Sequence, residues 1–194
     1  MTPSADQRPP ATLTLTALTG MPLVRSGDDL VAHILRSLEQ TALALMDGDI
    51  LVIAQKIVSK SEGRTVRLED VQPSQRACEL AGVTGKDPRL VELILSESRE
   101  IVRHHPGVIV AENRQGVVLA NAGIDRSNIE ADGDAEQMLL LPIDPDASAA
   151  SIHKALQEQT QVNIAVLIND SLGRAWRNGT VGTALGVSGL PALL

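Results

Sequence analysis

"VLINDSLGRAWRNGTVG", residues 166–182, begins as a buried strand and becomes polar after three apolar residues. The next ten residues hold two amides, a carboxylate, a hydroxyl and two arginines around the only tryptophan of the chain. A sheet fixes the backbone while the loop at the carboxyl end of a strand stays accessible, so α/β proteins place ligands there. The stretch therefore predicts a core strand that leads into a functional site.

The composition describes an acidic and aliphatic protein. The 194 residues carry 24 acidic against 17 basic side chains, and 43% of them are hydrophobic without a single Phe or Tyr. The acidic balance argues against general electrostatic binding of nucleic acid, and the lack of aromatic platforms argues against a single-strand binder. No apolar run approaches the roughly 20 residues of a membrane helix. We therefore expect neither nucleic acid nor a membrane as a partner, and the single cysteine, Cys78, fits a reducing cytoplasm.

Four segments have the composition of β-strands. Residues 13–19 alternate polar and apolar side chains, and residues 50–54 form a short apolar run. Two β-branched runs flank the turn formers at 113–116, which predicts a hairpin. The fourth segment lies within residues 161–170, which lead into the polar stretch.

Helical patterns lie between these strands. Apolar residues recur at helical spacing over 28–46. Ser74 can cap a second helix, the Asp-Pro pair at 87–88 can start a third, and Asp146 or Ser148 can cap a fourth. Because helices and strands mix without strict alternation, we expect an α+β or mixed α/β fold. No linker divides the chain, so we expect one domain over 13–194 after a flexible tail, residues 1–12.

Three polar clusters follow apolar strands and are candidates for chemistry. Lys60 beside Ser59 can meet a phosphate, although a solvated strand end explains this pair equally well. Asp125 and Asn128 offer oxygen ligands of the kind that Mg²⁺ or Mn²⁺ accepts, although an ordinary turn is the simpler explanation for that segment alone.

The third cluster belongs to the opening stretch, and here we favour a function. Asp170 and Ser171 offer a carboxylate and a hydroxyl that can hold a divalent ion, and with it the phosphates of a nucleotide. Arg174 and Arg177 can neutralise phosphate or carboxylate groups. The residues alone therefore predict a metal–phosphate ligand held between Lys60, Asp125 and Asp170.

Five segments, taken in order, give the sequence a resemblance to a known family. From Leu13 onward it resembles the coenzyme F420-0:L-glutamate ligases, GTP-dependent enzymes that add γ-linked glutamates to a deazaflavin coenzyme. The segments are "GMPLVRSGDDL" (20–30), "GDILVIAQKIVSKSEGR" (48–64), "NAGIDRSN" (121–128), "LLPIDPDASA" (140–149) and "INDSLGRAWRNGTVGTALGVSG" (168–189). The resemblance implies a family-specific mixed α/β fold with mixed sheets and flanking helices, and an intertwined homodimer. It also implies that the chain lacks the C-terminal part of the family's ligase domain.

The resemblance also implies roles for individual residues. The nucleotide-binding positions that it implies are Met21, Pro22, Leu23, Val24, Gln55, Lys56, Lys60 and Asn128. The metal-binding positions that it implies are Asp125, Asp170 and Ser171. Arg174 lies in the last motif and is assigned the stabilisation of anions.

The chemistry implied by the resemblance uses GTP to activate a carboxylate as an acyl phosphate, which an amine then captures. The implied participants are coenzyme F420-0, L-glutamate, GTP, a divalent ion (Mn²⁺ or Mg²⁺) and K⁺, in the cytoplasm. Two alternatives stay open at this point. One is a non-catalytic protein that binds GTP and metal, and the other is a related ligase that joins an amino acid to another carboxylate.

Overall fold

The computed structural model describes residues 12–126, 136–173 and 178–191. The helices are α1 (Leu30–Gln40), α2 (Gln55–Ser61), α3 (Gln75–Thr84), α4 (Pro88–Ser96) and α5 (Pro145–Thr160). The strands are β1 (Ile50–Ala54), β2 (Thr65–Arg67), β3 (Ser98–His105), β4 (Val108–Asn113), β5 (Val118–Ala120), β6 (Gln137–Leu139), β7 (Ala165–Gly173) and β8 (Thr180–Ser188). These helices and mixed sheets confirm the predicted α+β class. No helix in the described ranges is long and apolar enough to cross a membrane.

The strands form three small sheets, of which the sheet β1-β7-β8 is mixed. β1 runs parallel to β7, and β8 returns antiparallel to β7. The other two sheets, β2-β6 and β3-β4-β5, are antiparallel. The parallel register pairs Ile53 with Ile168 and Ala54 with Asn169, so the carboxyl end of β1 lies beside the middle of β7.

Two aliphatic cores hold these sheets to the helices. The first packs α1 and α5 against β1 and β7, with Ile34, Leu156, Val166 and Ile168 among its buried members. The second lies between α3, α4 and β4, around residues such as Ile94. Burial of branched aliphatic side chains supplies the main driving force for both cores, at about 25 cal/mol per Å² of apolar area.

Several elements appear where the sequence predicts them. β1 has the predicted bounds, and β4 and β5 form the predicted hairpin. Ser74 caps α3 by accepting a hydrogen bond from the Ala77 N–H at 3.2 Å. Asp87 caps α4 by accepting one from the Arg89 N–H at 2.8 Å.

The cap of α5 differs from the prediction. Asp144 is the N-cap and accepts from the Ala147 N–H at 2.9 Å, because the proline that follows Asp144 occupies the first helical position. Asp146 instead accepts from the Val187 N–H at 2.9 Å and so ties α5 to β8. The Ser148 hydroxyl donates to the Asp144 carbonyl at 3.0 Å.

The first predicted strand and the length of the first predicted helix are wrong. Residues 13–19 form no strand, and Leu13 and Leu15 are 84% and 86% exposed. Alternation favours a strand only where another strand supplies hydrogen bonds, and none in the described part of the chain pairs with this segment. α1 ends at Gln40, and Ala42 has a left-handed backbone with φ 55°.

Glycines let β8 lie directly on α5. A Cβ atom at Gly186 would lie 2.2 Å from the Pro145 carbonyl oxygen, well inside van der Waals contact. A Cβ atom at Gly189 would lie 2.8 Å from the Ile164 carbonyl oxygen and 2.9 Å from His153 Cε1. The backbone of β8 therefore approaches its neighbours as closely as only glycine permits.

We expect Gly186→Ala to lower the free energy of unfolding by about 1–3 kcal/mol, because the new methyl group must displace backbone atoms of α5. Gly82→Ala is the matched control, since Gly82 lies inside α3 with no atom within 4 Å of its virtual Cβ. Alanine there should raise the free energy of unfolding by about 0.5–1 kcal/mol. Urea denaturation followed by circular dichroism measures both free energies of unfolding. A change of the same sign in the two variants would contradict the packing argument.

An ion pair ties the second core to the segment after β6. Arg64 Nη2 lies 2.8 Å from Glu97 Oε2, and Arg64 Nε donates to the Leu141 carbonyl at 2.8 Å. The side chains of Arg64 and Glu97 are only 17% and 15% exposed. Removal of one partner therefore leaves a charge that water reaches poorly.

We expect Arg64→Met to lower the free energy of unfolding by about 2–3 kcal/mol, because it removes two charge-assisted hydrogen bonds from a largely buried place. Arg67→Met is the control, since Arg67 pairs with Glu69 and Asp70 at the surface with its side chain 53% exposed. That change should cost less than about 1 kcal/mol. Chemical denaturation measures both losses. A comparable loss in the two variants would show that the Arg64 pair stabilises the protein no more than a surface ion pair does.

Candidate active site

Parallel pairing of β1 with β7 brings the first turn of α2 to Asp170. The chain passes from Ala54, the last residue of β1, directly into α2. Ala54 pairs with Asn169, so Gln55 and Lys56 enter α2 beside the next residue of β7, Asp170. The sequence predicts a strand within residues 161–170 that ends at Asp170, but β7 continues to Gly173, so both Asp170 and Ser171 lie within the strand.

Pairing with the end of β6 brings Asp125 to the start of α2, where Lys56 contacts it. The N–H and carbonyl of Asp125 form hydrogen bonds with Leu139, the last residue of β6, at 3.0 and 2.9 Å. The chain arrives there through a 3-10 turn, Asn121–Gly123, in which Asn121 and Ala122 have left-handed φ values of 51° and 53°. These non-glycine residues are costly in that conformation, so the turn is held by its surroundings.

Lys56 pairs with Asp125, and the charges of both residues act on Asp170. Lys56 Nζ lies 2.5 Å from Asp125 Oδ2. Burial raises the pKa of Asp170 above its usual range, and the negative charge of Asp125 raises it further. The N–H of Ser171, the Lys56 charge and a hydrogen bond from Gln55 act in the opposite direction on that pKa. The site therefore concentrates negative charge where solvent screens it only partly.

Gln55 is part of the wall of this site. Its side chain is almost completely buried, with 3% of the residue exposed, and it accepts a hydrogen bond from Ser59 Oγ at 3.0 Å. Ser59 is fully buried. The expectation that the Ser59 hydroxyl meets a phosphate beside Lys60 is therefore wrong, because that hydroxyl faces Gln55 inside the protein.

Lys60 lies one helical turn beyond Lys56 on α2. Residues four apart share a face of a helix, so the two ammonium groups line the same side, and Lys60 is partly exposed there. A cationic stripe thus extends from the carboxylates toward the far end of α2. This arrangement suits an anion that reaches from the carboxylates along the helix.

The loop at 21–24 lies at that far end. Met21 and Val24 pack into the first core, whereas Pro22 and Leu23 are exposed. The Gly27 N–H donates to the Ser61 carbonyl at 2.8 Å, which ties the loop to the last residue of α2. Since seven helical residues span roughly 10 Å, the loop and the carboxylates flank one helix without touching.

Ser171 contributes to the site through its backbone. Its N–H hydrogen-bonds the Asp170 carboxylate, and its side chain is exposed. Successive side chains of a strand point to opposite faces, so the Ser171 hydroxyl and the Asp170 carboxylate leave β7 on different sides. Asn128 and Arg174, which belong to the predicted site, lie outside the described residues.

The donors that converge here suit a hard divalent cation. Carboxylate oxygens of Asp125 and Asp170 are ligands that Mg²⁺ and Mn²⁺ accept, and Mg²⁺ takes its remaining ligands from water or substrate phosphate. Within the described ranges, this site included, no three His, Cys, Asp or Glu side chains form a cluster that could hold a metal ion by themselves. The two carboxylates therefore fit a cation shared with a phosphate ligand better than a closed protein cage.

Asn169 is a polar residue of β7 to which sequence reasoning assigned no role. A Cβ atom at Gly182 on β8 would lie 3.2 Å from Asn169 Oδ1, so the glycine makes room for this amide. The sequence signal was the glycine, because glycine inside a strand marks a close approach.

Comparisons with known proteins relate the chain to one family. Residues 20–194 match the family described as F420-0:Gamma-glutamyl ligase. The chain is 51% identical over 178 residues to the coenzyme F420:L-glutamate ligase of Methanothermobacter thermautotrophicus, an alignment that covers 92% of this chain and 69% of that protein.

Two further proteins of that name are similar to this chain. Those of Methanopyrus kandleri and Archaeoglobus fulgidus are 46% and 40% identical to it, over 88% and 90% of its length. The alignments cover 64% and 66% of those proteins. The chain thus spans about two thirds of the length of these curated relatives.

The raised pKa of Asp170 gives a testable dependence of stability on pH. Ionised Asp170 is disfavoured by burial in the folded protein, so we expect Asp170→Asn to raise the Tm of the metal-free protein at neutral pH. The gain should fade as the pH falls through the raised pKa toward the ordinary value of 3.8, because wild-type Asp170 is then protonated as well. Thermal melts in a chelator between pH 4 and 7 measure this difference.

Asp87→Asn provides a control of opposite sign. The hydrogen bond from the Arg89 side chain is the largest influence on the pKa of Asp87 and lowers it. This variant should lower the Tm at neutral pH, and the loss should shrink as acid protonates the wild-type carboxylate. A Tm loss in both variants would contradict the proposed electrostatics of Asp170.

Proposed function

Because the chain belongs to the F420-0:Gamma-glutamyl ligase family, we propose that it adds L-glutamate to coenzyme F420-0 through a γ-linkage, with GTP as the energy source. The observation that carries this proposal is the convergence of Asp125, Asp170 and Lys56 from three distant parts of the chain. These are positions to which the family resemblance assigns metal and nucleotide.

The reaction must activate a carboxylate before an amine can attack it. The γ-phosphoryl group of GTP moves to a carboxylate oxygen of F420-0, so that its bond to the bridging oxygen breaks and GDP leaves. The amino nitrogen of L-glutamate then attacks the acyl carbon, loses a proton and displaces inorganic phosphate. Such a sequence needs positioning and charge stabilisation rather than a protein nucleophile.

The residues of the site supply these requirements. Asp125 and Asp170 would hold Mg²⁺ or Mn²⁺, which neutralises the charge of phosphate oxygens during transfer. Lys56 and Lys60 would present ammonium groups to the nucleotide phosphates along one face of α2. The loop at 21–24 would contact the rest of the nucleotide from the far end of that helix.

The remaining expectations are part of the same proposal. Asn128 would contact the nucleotide, Ser171 would take part in metal binding and Arg174 would stabilise anionic groups. A homodimer, a K⁺ ion and a cytoplasmic location follow from the family resemblance, and the single cysteine supports the last of these.

Mass spectrometry of the coenzyme tests the activity directly. After incubation of the chain with F420-0, L-glutamate, GTP and Mn²⁺, we expect a gain of one or more glutamyl units that is absent without GTP. Asp170→Asn should slow this gain by about two orders of magnitude or more, since it removes a metal-binding charge. Asp70→Asn, which changes an exposed surface ion pair, should leave the rate unchanged.

The other outcomes separate the alternatives. Binding of Mn²⁺ and GTP without ligation would identify a non-catalytic nucleotide-binding protein. Ligation to a different carboxylate would identify a related amino-acid ligase. Unchanged Mn²⁺-dependent GTP binding by Asp170→Asn would remove Asp170 from the metal site.

A further inference from the structure

The side chain of Gln55 is buried in the protein interior. It is 3% exposed, its Oε1 accepts a hydrogen bond from Ser59 Oγ at 3.0 Å, and the register of β1 with β7 places it beside Asp170. The family resemblance places Gln55 at a nucleotide contact, and the structure places it next to a proposed metal ligand as well.

We propose that Gln55 is a positioning residue, which orients the Asp170 carboxylate for the cation and is itself oriented by Ser59. This inference rests on the proposed function, because it gives the Asp170 carboxylate the role of a metal ligand. It assigns the side chain of Gln55 to the support of that ligand.

The hydrogen-bonding capacities of the three groups determine which way the amide points. An ionised carboxylate has only acceptors, so Gln55 must present its Nε2 group to Asp170. The Oε1 atom is then turned toward Ser59, whose hydroxyl donates to it at 3.0 Å. The result is one directed chain of donors, from Ser59 through Gln55 to Asp170.

Burial and helix geometry keep this chain in place. Gln55 and Ser59 are four residues apart on α2, the spacing at which side chains of a helix meet. Ser59 is fully buried, so water does not compete for its hydroxyl. The Ser171 N–H gives the Asp170 carboxylate a second fixed donor.

A neutral amide suits this role better than a cation would. Lys56 partly cancels the charge of Asp125 by pairing with it at 2.5 Å. Gln55 fixes the orientation of Asp170 without adding a positive charge, so the carboxylate keeps its attraction for a metal ion. Partners that hold a metal ligand in this way are typically worth 10–100-fold in metal affinity or activity.

Mn²⁺ affinity without nucleotide, measured by electron paramagnetic resonance, tests the proposal. We expect Gln55→Met, which keeps the length of the side chain but removes the donor, to weaken Mn²⁺ binding by about 10–100-fold. Ser59→Ala should weaken it less, and it should add nothing in the Gln55→Met background because the two residues act in one chain. Ser61→Ala is the control, since the Ser61 hydroxyl donates to the Val58 carbonyl on the same helix.

Kinetics separate positioning from general damage. In Gln55→Met we expect the Mn²⁺ concentration for half-maximal ligation to rise, while kcat at saturating Mn²⁺ returns to within a few-fold of wild type. Unaltered Mn²⁺ affinity in Gln55→Met would overturn the proposal, as would a loss of kcat that saturating Mn²⁺ does not restore.

Nuclear magnetic resonance tests the chain of donors without metal or substrates. The side-chain amide protons of Gln55 should exchange slowly with water, and their signals should shift in both Asp170→Asn and Ser59→Ala. Fast exchange and unmoved signals would overturn the proposal even in an active enzyme. Wild-type protein that binds Mn²⁺ with these Gln55 signatures but forms no glutamyl product would refute the proposed ligase activity alone.

Discussion

The parallel pairing of β1 with β7 is the constraint on which the site depends. It joins residues more than one hundred positions apart in a fixed register, Ala54 beside Asn169. α2 starts at once after β1, so the same register decides which α2 side chains face β7. The two packed helices of the first core then hold this pair of strands from one side. The set of side chains that meet at the site therefore depends on this strand pairing.

Gathering negative charge at this place costs stability, and the surrounding groups limit that cost in two ways. Lys56 opposes the charge of Asp125 with a charge of its own, whereas Asp170 receives neutral donors from Gln55 and the Ser171 backbone. The two carboxylates therefore lie in different electrostatic surroundings. Sites that bind metal and phosphate commonly retain such unfavourable charge until the ligand arrives.

Local signals in the sequence predicted the elements that depend on local physics. The caps at Ser74 and Asp87, the hairpin and the bounds of β1 all follow from a few neighbouring residues. The sequence predicted Lys60, Asp125 and Asp170 as a general neighbourhood, whereas the lysine that pairs with Asp125 in the structure is Lys56. The segment 13–19 failed because a strand needs a partner, which alternation cannot supply.

Finer features of the site required three-dimensional information. The Ser59 hydroxyl turns inward to Gln55, and nothing in the nearby sequence indicates this. A polar residue can lie on either face of so short a helix. The continuation of β7 past Asp170 depends on pairing with β8, whose glycine-rich composition is unlike that of a typical strand.

The two aliphatic cores contain no aromatic chromophore. Both contain only Leu, Ile, Val, Ala and Met side chains, and the whole chain has neither Phe nor Tyr. Ultraviolet absorption by aromatic rings and intrinsic fluorescence therefore come from Trp176 alone, six residues after Asp170. Intrinsic emission from this protein is therefore a signal from one position of the motif that carries the site.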